Sequence, residues 1–268
     1  VSSKQVFVAF DVETTGLVPG VDRLVELAAV SFTPESVLDS FSSLVNPGIP
    51  IPAEAGRVNG ITDDMVRDAP CIDLVLPDFL SFLGRGVPVA HNAIFDVGFV
   101  SADIAALGLP ALGTPVLDTR GLARSAFPGR FSYSLENLVR DLGIIAHGAH
   151  RALVDAHACR LLFLQCLPRI GPDLPVEELA ARSGPRLDFA AHAPRTARTA
   201  ALLHNAMADG ALVDITYRGA DGEVTDRRIR PLSFTMIRGS NAIVAYCMLR
   251  QDTRTFQLVS IEEARRVP

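Results

Sequence analysis

The sequence predicts an α/β chain in two parts, a mixed sheet flanked by helices and then a smaller β-rich unit. Two observations carry this reading. Three β-branched and aromatic segments follow one another with short loops between them, and after them helical and strand-like patterns alternate. Beyond residue 195, one helical stretch precedes a run of strand-like segments separated by turn residues. With 268 residues and 49% hydrophobic content, the chain can build one large and one small domain without disulfide or metal staples.

VFVAFDVETTG is a short apolar run ending in acids and a Gly turn; LVELAAVSF and VLDSFSSLVNP complete a meander. Residues 46–52 form a Pro/Gly turn region, after which ITDDMVRDAP opens with Thr62 and acids suited to a helix start. VPVAHN and PVLDT are two more short strand candidates. Between them a helical pattern runs from about Phe95 to Leu107 and stops at Gly108. SLENLVRDLG is helical, with Ser134 as N-cap and Gly143 as terminator, and ALVDAHACRLLFLQCL is a long helix ended by Pro168. Residues 168–195, rich in Pro, Ala and Gly, read as a linker between a first domain (1–167) and a second (196–268). In the second, the helix ARTAALLHNAMADG precedes the strands LVDITYR, EVTDRRIRP, AIVAYC and TFQLVSI, with GADG as the hairpin turn between the first two.

Composition narrows the class. The longest apolar stretches are broken by charge short of the ~18–20 residues a membrane span requires, so no membrane partner is expected. No basic segment followed by an apolar run opens the chain, so no secretion signal is expected, and a start at Val1 points to a few further residues upstream. Cys71, Cys159, Cys166 and Cys247 show no paired or zinc-like spacing and read as reduced core residues of a cytoplasmic protein. The net charge of −5 is unevenly spread. Residues 1–167 hold 11 basic and 18 acidic side chains, and residues 195–268 hold 11 basic and 8 acidic, so the second unit is the better source of phosphate attraction.

Asp11 and Glu13 alternate at the end of the first strand and project from one face, while Val6, Val8, Phe10 and Val12 make the other face apolar. Two adjacent carboxylates repel each other, and a bound cation is the simplest remedy. Asp96, in HNAIFDVGF, falls in the first turn of the next helix, where the helix dipole favours an acid in any case. Asp155, in HRALVDAHA, has apolar neighbours and needs a cation or a hydrogen-bond partner. His150 lies five residues earlier, about 140° away on an ideal helix, which places it in the preceding loop, reaching back over the carboxylate.

The three motifs FDVETTG, HNAIFDVGF and HRALVDAHA, in this order and spacing, resemble the DnaQ-like (DEDD) 3′–5′ exonuclease family over about residues 5–167, and the His-x4-Asp form resembles its histidine (DEDDh) branch. The resemblance implies an RNase H-like sheet and a two-metal phosphodiester hydrolase acting on a free 3′ end. DNA and RNA both stay open as the strand, and single-stranded DNA is the preferred reading. It also implies a pair of Mg²⁺ or Mn²⁺ ions, with Asp11 shared by both, Glu13 and Asp155 on one, and Asp96 supporting the second. His150 would be the general base. Thr14, Leu17, Ile61, Asn92, Phe95 and Phe99 are the candidate contacts to the terminal nucleotide. For Leu17, Ile61, Phe95 and Phe99, plain core packing is an equal alternative.

ALVDITYRGADGEVTDRRIRPLSF and AIVAYCMLRQDTRTFQLVSIEEA resemble the WYL domain, a small SH3/Sm-like β-fold. The signature triplet stands here as roughly Asn241-Ala242-Ile243, a departure that puts ligand binding through it in doubt. Arg228, Arg230, Arg250 and Arg254 are candidate strand contacts, or else a solvated outer face. The functional expectation is a metal-dependent 3′–5′ exonuclease in repair or proofreading. The alternatives are an RNase trimming RNA 3′ ends and a ligand-sensing regulator on an exonuclease scaffold.

Overall fold

A computed structural model describes residues 4–144, 151–171, 173–237 and 240–267. The first strands are β1 (Phe7–Thr14), β2 (Leu24–Phe32) and β3 (Val37–Leu44), joined as antiparallel neighbours. Then come α1 (Ala53–Asn59), α2 (Asp63–Val66), α3 (Ile72–Leu83), β4 (Val87–Ala90), α4 (Ile94–Leu107) and β5 (Leu117–Asp118). Strands β4 and β5 add in parallel, giving a five-stranded mixed sheet in the order β3-β2-β1-β4-β5. Helices α5 (Thr119–Ala126), α6 (Leu135–Asp141), α7 (Ala152–Ile170) and α8 (Val176–Ser183) complete the first unit.

Central strand β1 is covered on both faces, which is why its apolar run hardly alternates. Val8, Phe10 and Val12 point into one cluster with Leu76, Phe79 and Val97. Phe7 and Ala9 point into the other, where Phe7 packs on Phe163 of α7 with ring centroids 4.8 Å apart. Each such fully buried side chain contributes on the order of 1.5–3 kcal/mol.

The helix ends follow local chemistry. Ser134 accepts from the Asn137 amide and caps α6, and Gly108 and Gly143 take left-handed φ of 65° at the ends of α4 and α6. Two expectations change. Helix α7 runs through Pro168 to Ile170, so the proline does not end it. Residues 168–195, read as a linker from their composition, hold α8 and the start of α9 (Phe189–Ala208), with Leu179 and Phe189 fully buried. A few apolar side chains in a Pro/Ala/Gly-rich stretch suffice to dock it. Phe189 packs beside Phe10, 5.9 Å between centroids.

Helix α9 continues into the second unit, a sheet of β6 (Val213–Arg218), β7 (Val224–Ile237), β8 (Ser240–Cys247), β9 (Asp252–Gln257) and β10 (Ile261–Arg266). All neighbours are antiparallel, in the order β10-β6-β7-β8-β9. The β6–β7 hairpin turns where GADG stands, with Gly222 at φ 84°. Ala200 and Leu203 of α9 join Ile215, Ile243 and Leu258 in this unit's core. Cys159, Cys166 and Cys247 are buried free thiols, whereas Cys71 is exposed, in front of α3 and not in a core. Among the described residues, no helix is long and apolar enough to cross a membrane.

Candidate active site

The site forms where β1 ends. Asp11 and Glu13 share the β1 face that carries Phe7 and Ala9, so they look toward α7. Arg151 occupies the N-cap position of α7, and Asp155 sits in its first turn. One carboxylate oxygen from each of Asp11, Glu13 and Asp155 lies within 4.8 Å of the other two. A strand end and a helix start separated by about 140 residues of sequence thus meet in a single nest of hard oxygen donors.

The electrostatics of this nest are unfavourable without a counter-ion. Burial raises the Asp11 carboxyl well above its usual range, and Asp96, Glu13, Asp155 and Glu26 push it further. Glu13 is pushed up to about 8, first by burial and then by Asp155 and Glu26, against a smaller lowering by Arg151. The donor set therefore fits a hard divalent cation such as Mg²⁺ or Mn²⁺, which would replace the protons that burial forces onto these acids.

Asp96 arrives from the other side of the sheet. It lies in the first turn of α4, is 3% exposed, and accepts the Val12 amide at 3.1 Å. That bond ties α4 to the strand between the two acids of β1. Burial raises the Asp96 carboxyl, offset in part by its own amide and that of Val12. Asp96 stands outside the three-acid nest but near enough to repel Asp11. His150 lies outside the described residues.

Of the candidate nucleotide contacts, Leu17 is 41% exposed, and Asn92 and Phe95 are half-buried. Asn92 has a left-handed φ of 63°, its amide donates to Asp118 at 2.9 Å, and its side-chain oxygen accepts from Arg120 at 2.9 Å. Thr14 turns inward, its hydroxyl bonded to the Gly16 carbonyl. Ile61 and Phe99 require correction. Ile61 is fully buried among Val25 and Val66, and Phe99 is 2% exposed, so neither side chain has a surface to offer a base. For these two, core packing is the answer.

Three residues that local patterns did not single out complete the surroundings. Glu26, directly across from Glu13 on β2, accepts Arg151 and the Ala152 amide (3.0 Å). Its signal was legible, since LVELAAVSF is an apolar strand with one acid inside it. Asn59 donates to the Thr14 carbonyl at 3.2 Å and accepts from Ile61, joining the NGIT turn to the end of β1. Asp118 caps α5 through the Arg120 amide (2.8 Å) while holding Asn92. Half-buried His91, bonded to Thr119 and Tyr133, is lowered to about 4, mainly by loss of solvent around the ring.

The four arginines of the second unit do not make one row. Arg228 is held through Nε and Nη2 by Asp214, at 2.8 and 2.9 Å, directly across the β6–β7 pair. Arg230 shares its face and stands opposite Tyr246. Arg254 stands opposite buried Ala245 and so belongs to the other face, 3.7 Å from Asp252. Arg250 lies in the turn between β8 and β9. Ala242 and Ile243, two of the three signature positions, are fully buried.

Comparison with known proteins gives a consistent pattern. The exonuclease family model RNase_T matches residues 8–163, and the WYL domain model matches residues 198–266. The chain is 42% identical over 159 residues to the DNA polymerase III subunit epsilon of Treponema pallidum, covering 59% of this chain and 74% of that protein. It is 41% identical over 152 residues to the PolC-type DNA polymerase III of Clostridium perfringens, covering 57% of this chain but 10% of that polymerase. A solved structure of exonuclease X with 5′-overhanging duplex DNA is similar at TM-score 0.53 and 29% identity, over 67% of this chain and 99% of that one. E. coli exonuclease I with a dA16 oligonucleotide shares the fold at TM-score 0.56 and 16% identity, over 91% of this chain and 55% of that one.

Proposed function

Because this chain belongs to the RNase_T exonuclease family, matched over residues 8–163, we propose that it removes nucleoside monophosphates one at a time from the 3′ end of a strand, single-stranded DNA preferred. The observation that carries this reading is the convergence of Asp11, Glu13 and Asp155 within 4.8 Å in a partly buried nest. Its DNA preference is supported by similar exonucleases solved with DNA.

The residues divide the work. Asp11, Glu13 and Asp155 would hold one divalent ion, and Asp11 with Asp96 would serve a second. When bound, a pair of Mg²⁺ or Mn²⁺ ions supplies charge neutralisation for the phosphate, an acidified water and a stabilised leaving 3′-oxygen. His150 would take the proton of the attacking water as general base, a role that requires a neutral ring. Arg151, the next residue in sequence, is anchored to Glu26. Leu17 and Phe95 offer apolar surface to the terminal base, and Asn92 offers its amide group. Apolar stacking tolerates every base, so little sequence preference follows. The second unit, through Arg230 and Arg250, attracts the strand's phosphates, and the cellular role is repair or proofreading of DNA.

The test uses DNA and RNA oligonucleotides labelled at either end, with Mn²⁺, Mg²⁺ or EDTA. Mononucleotide released first from the 3′-labelled DNA, and only with a divalent ion, is the expected result. Release from the 5′ end, or activity in EDTA, overturns it; RNA degraded faster than DNA reverses the substrate preference.

A further inference from the structure

From Thr14 to Arg23 the chain makes a knob that closes on itself. The Thr15 amide donates to the Arg23 carbonyl (2.8 Å), and the Arg23 amide donates to the Thr15 hydroxyl (2.9 Å). Val18 donates to the Asp22 carboxylate at 2.8 Å and accepts from the amides of Val21 (3.1 Å) and Asp22 (2.8 Å). The Asp22 carboxylate fills the space beside Gly16, where an added Cβ would fall 2.4 Å from it, so a larger residue there would displace the carboxylate that holds the Val18 amide.

Two adjacent apolar residues of the knob have opposite fates. Leu17, four residues after Glu13 in sequence, is 41% exposed, while Val18 is 4% exposed. Val18 does not join either core of the nuclease sheet. It belongs to the hydrophobic cluster of the second unit, with Leu203, Ile215 and Ile243, and half-buried Val21 packs against the same cluster. Pro19 rests over Gly98 of α4, 3.1 Å from where a Cβ would stand.

We propose that the C-terminal unit positions the strand-end contact, with Val18 as the positioning residue whose seat in the second core holds Leu17 where a terminal base would meet it. The proposal rests on the exonuclease reading and on Leu17 as a base contact. Surface loops are ordinarily the mobile part of a fold, and ordering one on binding costs affinity. Here that ordering is done in advance by a hydrophobic plug inserted into a separate domain. The second unit thereby acts on the strand end without touching it, and whatever loosens its core also loosens the wedge.

The test is steady-state kinetics of the full chain on a 5′-labelled single-stranded DNA oligonucleotide with Mn²⁺. Val18→Ala should raise KM about three- to tenfold, with kcat held within about twofold. Val18→Ile should stay near wild type. Leu203→Val, which loosens the same cluster from helix α9, should raise KM in the same direction and serves if Val18→Ala folds poorly. Leu17→Ala should raise KM, and adding Val18→Ala to it should add little, because both act on one contact. Losses that multiply, or a wild-type KM in both Val18→Ala and Leu203→Val, overturn the proposal. A wild-type KM for Leu17→Ala while hydrolysis persists removes its premise, and a wild-type protein that releases no mononucleotide overturns the exonuclease reading beneath it.

Discussion

The Glu26 carboxylate, 2% exposed in the nuclease sheet, receives the Arg151 guanidinium at 2.7 Å through Nη2 and at 3.1 Å through Nε. It also accepts the Ala152 amide, one of the orphan donors of the α7 N-terminus. One acid from β2 therefore fixes the start of the helix that carries Asp155. Glu26→Ala should lower stability by about 2 kcal/mol in urea unfolding, since a buried amide and a charged partner lose their acceptor. It should also cut kcat by about tenfold through misplacement of Asp155. Wild-type kcat together with wild-type stability would refute the positioning role.

Asp11 is the acid that Asp96, Glu13 and Asp155 all act upon. Asp11→Ala should abolish mononucleotide release altogether. His150→Ala should lose most turnover yet still bind a labelled strand. His150→Ala turning over at the wild-type rate with saturating Mn²⁺ would remove it from the mechanism.

The metal-free protein should weaken toward both ends of the pH scale. Glu13 carries a folded-state value of about 8 against an ordinary 4.5, so its contribution is complete below 4.5 and is lost as pH rises through about 8. His91 runs the opposite way. Its value of about 4 against 6.5 means stability present above 6.5 and lost as pH falls through about 4. Mn²⁺ should restore the alkaline side, because the cation takes over from the protons. Melting curves at about pH 6 and about pH 8.5, in EDTA and in Mn²⁺, check this; equal Mn²⁺ stabilisation at both would count against it.

Arg228 and Arg230 share a face but not a fate. Arg228 is engaged through Nε and Nη2 by Asp214, whose carboxyl it holds below the usual range. Arg230→Ala should lower the slope of log K against log salt by about 0.9, and Arg228→Ala should leave it unchanged. Equal slopes for both variants and the wild type would take the second unit out of phosphate binding.

Local pattern reached far in this chain, but not to the ends of its contacts. The strand bearing Asp11 and Glu13, the stop of α4 at Gly108 and the cap of α6 at Ser134 are all local events, written in alternation and capping chemistry. Helix α3 carries Pro77 within it, a residue that local pattern treats as a break. Burial of Leu76, Phe79 and Leu83 against the sheet outweighs the break. Ile61 and Phe99 were ambiguous for the matching reason: an apolar side chain reads the same whether it meets a base or a core.

What the sequence by itself determined is the chemistry available: the identity and order of the acids, the period that sets their faces, and the turns that end each element. What only the tertiary structure decided is which groups meet. Glu26 finds Arg151 across 125 residues, and Val18 leaves its own domain for the core of another. The reason is physical. Periodicity and capping are satisfied within a few residues, whereas packing and charge pairing are settled between surfaces that become neighbours only when the chain has folded.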